Sequence, residues 1–203
     1  MMTDETKPVF FRDIFGFLFL FLLFGVLISL FLGENLGDFV KWVILNSILA
    51  VLATLVIMII WAFQKNNSKR YYSLLSFVML WVLTFYTMSP IFKILFPSKY
   101  FWILLSVTLG YTIFLLLNRI KISKGILNPR EIWFKKLLLI YLVIFSCVVI
   151  GVFVYVNILN LYSGEMMAVA IFLYFVGFLF LSLSPVFLTT PEMAKKLKEI
   201  SLD

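Results

Sequence analysis

Long apolar runs separated by short polar connectors set the pattern of this chain. Ile14–Leu32, Trp42–Phe63, Tyr71–Ser89, Phe101–Leu117, Leu137–Ile158 and Met166–Leu188 each read as a nearly continuous apolar stretch. At about 1.5 Å per residue, runs of roughly twenty residues match a hydrocarbon core of about 30 Å. The pattern predicts an all-α, polytopic membrane protein, a six-transmembrane-helix bundle with short loops that forms one membrane domain over residues 1–203. Lys7 and Arg12 precede the first run as they would in a signal peptide. That run is long for a signal sequence and has no small-residue cleavage site before Glu34, so it reads as an uncleaved span.

The connectors carry their own signals. Gly33–Lys41 reads as a tight turn and Gln64–Arg70 as a basic linker. Residues 89–100, SPIFKILFPSKY, hold an apolar segment between Pro90 and Pro97 that is too short to cross, which predicts an interfacial or re-entrant piece. Leu159–Glu165 reads as a brief turn. The tail predicts an amphipathic cytoplasmic helix over 190–202, with Thr189 or Thr190 as its cap and Pro191 in its first turn. Met193, Leu197 and Ile200 share one face of that helix, and Lys195, Lys196 and Lys198 surround it, as on a helix lying against an anionic leaflet.

Charge fixes the expected threading. Asn118–Lys136 alone carries Arg119, Lys121, Lys124, Arg130, Lys135 and Lys136, six of the seventeen Lys and Arg residues. The two termini and the even-numbered connectors hold fourteen of those cations and the odd-numbered connectors three, which places both termini in the cytoplasm and the protein in the cell membrane. Trp42, Trp61, Trp102 and Trp133 fall at span ends, as an aromatic belt requires. The Ser-Pro pairs Ser89-Pro90 and Ser184-Pro185 lie 95 residues apart, near the ends of the third and sixth spans. That spacing raises a 3+3 inverted repeat as an expectation, although the fourth span begins earlier than the offset requires.

Composition removes several function classes. The chain is 64% hydrophobic and 13% charged, where soluble domains carry about a quarter charged residues. Its net charge of +7 lies between spans, so it marks topology and not nucleic-acid binding. There is no histidine, and the single cysteine, Cys147, sits inside an apolar run. Imidazole acid–base chemistry, imidazole haem ligation and a Cys–His membrane peptidase are therefore excluded. The ten acidic residues lie outside the spans or at their edges, leaving no intramembrane carboxylate pair and no metal-binding cluster. The expectation is a protein that is not an enzyme and has no cofactor and no metal.

The polar residues inside the spans are the remaining candidates. Asn46, Thr87, Ser106 and Asn157 are the expected ligand-binding residues of a polar cavity open to the outside. The plainer reading makes them interhelical hydrogen-bonding groups. Pro90 and Pro185 are helix-break candidates whose freed carbonyls would line a site. Arg119, Lys121, Lys124, Arg130, Lys195, Lys196 and Lys198 form a docking surface for anionic lipid head groups or for a cytoplasmic or membrane partner subunit. Two functions follow. One is a non-catalytic transport or permease-type component, passive or driven by a partner. The other is a non-transporting interaction protein, either a toxin-immunity protein or an accessory subunit of a larger membrane complex.

Overall fold

In a computed structural model, the described residues are 10–127 and 162–190, together with 139, 141, 143, 145–147, 150, 192, 193 and 195. Their regular elements are all helices: α1 (Phe10–Leu32), α2 (Leu36–Gln64), α3 (Ser68–Leu95), α4 (Lys99–Leu117), α5 (Arg119–Leu127) and α6 (Tyr162–Leu188). Five of them, α1 to α4 and α6, are long and apolar enough to cross a membrane. Most of the predicted fifth span and most of the predicted tail helix lie outside the described residues. Of the fifth span, Tyr141 donates to Phe175 O and Phe145 packs on Phe172 and Phe175 of α6. Within the tail, the Met193 amide donates to Thr190 Oγ1, so Thr190 is the capping residue, while Thr189 Oγ1 donates back to Val186 O.

Several connectors are shorter than the sequence pattern predicts. The turn after the first span ends at Asn35, whose side chain accepts from the Asp38 amide and starts α2 at Leu36. Tyr162–Glu165, expected in a turn, belong to α6. The largest correction concerns residues 89–100. They do not form a separate segment between the third and fourth spans, because α3 continues through Pro90 to Leu95 and α4 begins at Lys99.

The reason is local. Proline has no amide proton, so Pro90 leaves the carbonyl of Tyr86, four residues back, without its helical donor. Ser89 Oγ donates to that same carbonyl at 2.9 Å. The arrangement recurs on α6, where Ser184 Oγ donates at 2.8 Å to Leu181 O, the carbonyl that Pro185 orphans. Both prolines are fully buried and both helices run past them. Each serine replaces the missing donor, so neither proline breaks its helix.

Helix directions follow from paired residues. α1 and α3 run parallel, with Arg12 beside Tyr72, Phe21 O beside the Tyr86 hydroxyl, and Leu32 O beside Lys93. α3 and α6 run antiparallel, with Ser73 bonded to Phe187 O and Thr84 to Gly177 O. α4 and α6 run parallel, since Thr108 meets Tyr174 and Tyr111 meets Ser182. α5 turns under this group and brings Ser123 to Pro185 O.

α3 is the axis of the bundle. It contributes Tyr71, Leu75, Val82 and Tyr86 to a core with α1 and α2, and Met88 and Ile91 to a second core with α4, α5 and α6. Half of its span is buried, against 6% for α4. Lipid gives helices little hydrophobic reason to associate, so close packing must come from small residues at the contacts. Gly25 on α1, Ala50 and Ala53 on α2, and Ala170 and Gly177 on α6 occupy those positions.

α3 also holds its neighbours by their ends. Its first turn donates Arg70 Nη1 to Leu188 O and Thr189 O, both at 3.1 Å, at the C-terminus of α6. Its last turn donates Lys93 Nζ to Leu32 O at the C-terminus of α1 and to Glu34 Oε1 at 2.7 Å. A cation at a helix C-terminus satisfies orphan carbonyls and opposes the negative end of the helix dipole.

Candidate functional site

Polar side chains within a bilayer must find partners inside the protein, because no water is there to serve them. The hydroxyls of Thr54, Thr84, Thr87, Thr108 and Thr112 each donate to a carbonyl four residues back in their own helix. Asn46 is 1% exposed, and its Nδ2 donates to Gly25 O at 3.1 Å and to Ser29 Oγ at 2.8 Å. The Tyr86 hydroxyl lies 3.1 Å from Phe21 O and 3.2 Å from Asn46 O. These groups form a knot joining α1, α2 and α3, and Gly25 leaves room for it. A Cβ on that glycine would stand 3.1 Å from Asn46 Cβ and 3.2 Å from the Tyr86 oxygen.

The three described members of the expected ligand-binding set, Asn46, Thr87 and Ser106, are not brought together. Asn46 sits in the knot, and Thr87 is half-buried where α3 meets Gly177 of α6. Ser106 is exposed on α4, and Asn157 lies outside the described residues. Pro90 and Pro185 stand within continuous helices, their orphaned carbonyls taken by Ser89 and Ser184. Among the basic residues, Arg119 and Lys121 are exposed on α5, Lys124 is half-buried, and Lys195 is exposed; Arg130, Lys196 and Lys198 lie outside the described residues.

What the bundle does offer is an apolar cleft of about 690 Å³ between α2 and α4, floored by α3. Trp42 and Leu45 of α2 form one wall, and Phe101, Leu105, Thr108, Leu109 and Thr112 of α4 form the other. Trp81, Thr84, Phe85, Met88, Ser89, Phe92, Lys93 and Phe96 run along its floor. Five of those eight side chains are aromatic or thioether, and the hydroxyls of Thr84, Ser89, Thr108 and Thr112 already donate to carbonyls of their own helices. Phe92, Phe96 and Phe101 brace the mouth through edge contacts, with ring centroids 5.8 Å and 5.4 Å from Phe101. Apart from the Lys93 ammonium and the Trp81 indole N–H, such a surface offers the polar groups of ions and sugars few partners and suits hydrocarbon.

The cleft has a direction. From Trp81, near the middle of α3, to Phe96, just past its end, it covers about 22 Å at the helical rise. Lys93 stands near the far end, half-buried, holding Leu32 O and Glu34. The opposite end of the bundle carries Arg12, Lys65, Lys69, Arg70, Arg119, Lys121 and Lys124, at helix ends joined by the Arg12–Tyr72, Arg70–Thr189 and Ser123–Pro185 contacts. The cleft thus opens away from the basic end.

Two sequence signals point to this cleft. Of the five tryptophans, Trp81 stands in the middle of a span and not at an interface. Lys93 is a cation inside an apolar stretch, PIFKILF. Neither signal places the walls, because the gap exists only where α2 and α4 stand apart across α3. Compared with known proteins, the chain matches no family model, no curated protein and no solved structure.

Proposed function

We propose that this chain is a non-catalytic, multi-pass component of the cell membrane that takes a hydrocarbon-rich molecule from the bilayer into the cleft between α2 and α4. The observation that carries the reading is the contrast between an open apolar cleft and the donors of Asn46, Ser29, Tyr86 and Thr87, which are bonded within the bundle. In its permease-type form, passive or driven by a partner, the cargo is lipid-like and reaches the site sideways. Six spans suit this reading. With α4 parallel to α6, one further crossing between them returns the chain to the starting side. The gathering of Arg12, Lys65, Lys69, Arg70 and the α5 cations at one end supports cytoplasmic termini by the positive-inside rule. The matched Ser-Pro bonding on the antiparallel α3 and α6 favours a 3+3 inverted repeat. The basic α5 and tail then rest on anionic head groups.

The second reading is a non-transporting accessory subunit or toxin-immunity protein. It is favoured by the same knot at Asn46, Ser29 and Tyr86, which leaves no polar path along α1, α2 and α3.

Tryptophan quenching tests the first reading. In a variant with Trp42, Trp61, Trp102 and Trp133 replaced by Phe, Trp81 reports on the cleft. Lipid brominated on its acyl chain should quench Trp81 saturably in mixed micelles, at about one lipid per protein. Quenching that only rises in proportion to bulk lipid contradicts a bound hydrocarbon.

A further inference from the structure

Resting on the hydrocarbon-cleft reading, we infer that the occupant is a glycerophospholipid of the leaflet opposite the basic end, with its head-group phosphate held by Lys93. Length supplies the first argument. A floor of about 22 Å from Trp81 to Phe96 exceeds half of a hydrocarbon core of about 30 Å, so it holds one extended acyl chain of a single leaflet. A chain lying there ends at mid-membrane beside Trp81, and its head group falls at the level of Phe96 and Phe101.

Charge supplies the second. Lys93 lines the cleft at that level, where the remaining lining is apolar or hydroxyl. An ammonium has three donors. Two of them are engaged, one by Leu32 O and one by Glu34 Oε1, and no further acceptor for Lys93 occurs among the described residues. The third fits a phosphate oxygen, a charge-assisted bond of the stronger kind. Glu34 is 73% exposed, so its carboxylate is well hydrated and offsets only part of the lysine's field at the mouth. Lys93 thus serves two ends: it closes α1 and presents a fixed cation where a lipid head group must lie.

A neutral lipid such as diacylglycerol would fill the same hydrocarbon floor without a partner for Lys93. A helix from another protein would fill it without needing the cation. The experiment separates these. In the single-Trp81 protein, Trp81 quenching is titrated with bromo-acyl phosphatidylglycerol and with bromo-acyl diacylglycerol. The phosphate-bearing lipid should bind about tenfold more tightly, a difference of about 1.4 kcal/mol. Lys93→Gln should remove that preference while diacylglycerol binds as before, and Lys93→Arg should keep it. Because Lys93→Gln also loosens the end of α1, Glu34→Gln is the second variant. It leaves the cation and frees a donor, so affinity for phosphatidylglycerol should rise by a few-fold. Equal binding of the two lipids, or no response to either Lys93→Gln or Glu34→Gln, overturns the head-group assignment and leaves the cleft reading standing. Saturable quenching by neither lipid overturns both.

Discussion

Gly177 on α6 faces α3 so closely that a Cβ built on it would lie 2.8 Å from Thr87 Oγ1 and 2.7 Å from Met88 Cγ. The antiparallel pair α3 and α6 is closely packed here, beside the bond from Thr84 Oγ1 to Gly177 O at 3.4 Å. Gly177→Ala should cost about 1–3 kcal/mol, the usual penalty for overpacking, unless Met88 swings aside. Gly177→Leu allows no such escape and should separate the helices. Thermal unfolding in mild detergent checks the order wild type, Ala, Leu; a Leu variant as stable as wild type contradicts the packing.

The Ser-Pro pairs make a more specific prediction. Ser89→Ala removes the hydroxyl that donates to Tyr86 O and should destabilise by about 1–3 kcal/mol, the cost of a buried unpaired carbonyl. Pro90→Ala restores a backbone amide to that carbonyl. Ser89→Ala should therefore cost much less when made together with Pro90→Ala. A double-mutant cycle that is additive within about 0.5 kcal/mol would show that serine does not stand in for the missing amide. The same cycle applies to Ser184 and Pro185.

Arg70 caps a helix other than its own. Arg70→Ala should loosen the last turn of α6 by about 1–2 kcal/mol, with faster amide exchange near Val186–Thr189 and little change in α2. Arg70→Lys should recover part of the loss, since the charge remains while the two-carbonyl geometry does not. Uniformly faster exchange across the bundle would contradict a local cap.

Burial decides the outcome at Asn46. Asn46→Ala should cost about 1–2 kcal/mol through the loss of its bonds to Gly25 O and Ser29 Oγ. Asn46→Asp should cost more than Asn46→Ala, because it would place a carboxylate against the Gly25 carbonyl in a buried site. Equal tolerance of both changes would indicate a hydrated site.

Much of the fold is legible in the sequence because the bilayer forces helices to be long and apolar, and α1, α2, α4 and α6 cover the runs that the hydrophobic pattern marks out. The end of α3 is the exception. Pro90 reads as a stop only if the preceding serine is ignored, and the compensation depends on a side-chain rotamer that no periodicity records. The site is less legible still. Asn46 is conspicuous as a polar residue in a span, yet its partners, Gly25 and Ser29, lie on another helix. Phe85 and Leu109 look like ordinary lipid-facing residues until α2 and α4 are seen to leave a gap between them.

The most direct test compares two engineered thiols in a Cys147→Ser background, one from Asn46→Cys and one from Phe85→Cys. Phe85 is 49% exposed and lines the cleft, whereas Asn46 is sealed in the knot. In reconstituted vesicles, the thiol at position 85 should react with a lipophilic maleimide and not with a charged one, and the thiol at position 46 should resist both. Rapid modification of position 46 by the charged, water-soluble reagent would mean a hydrated polar cavity and would contradict a sealed bundle that meets hydrocarbon through its cleft.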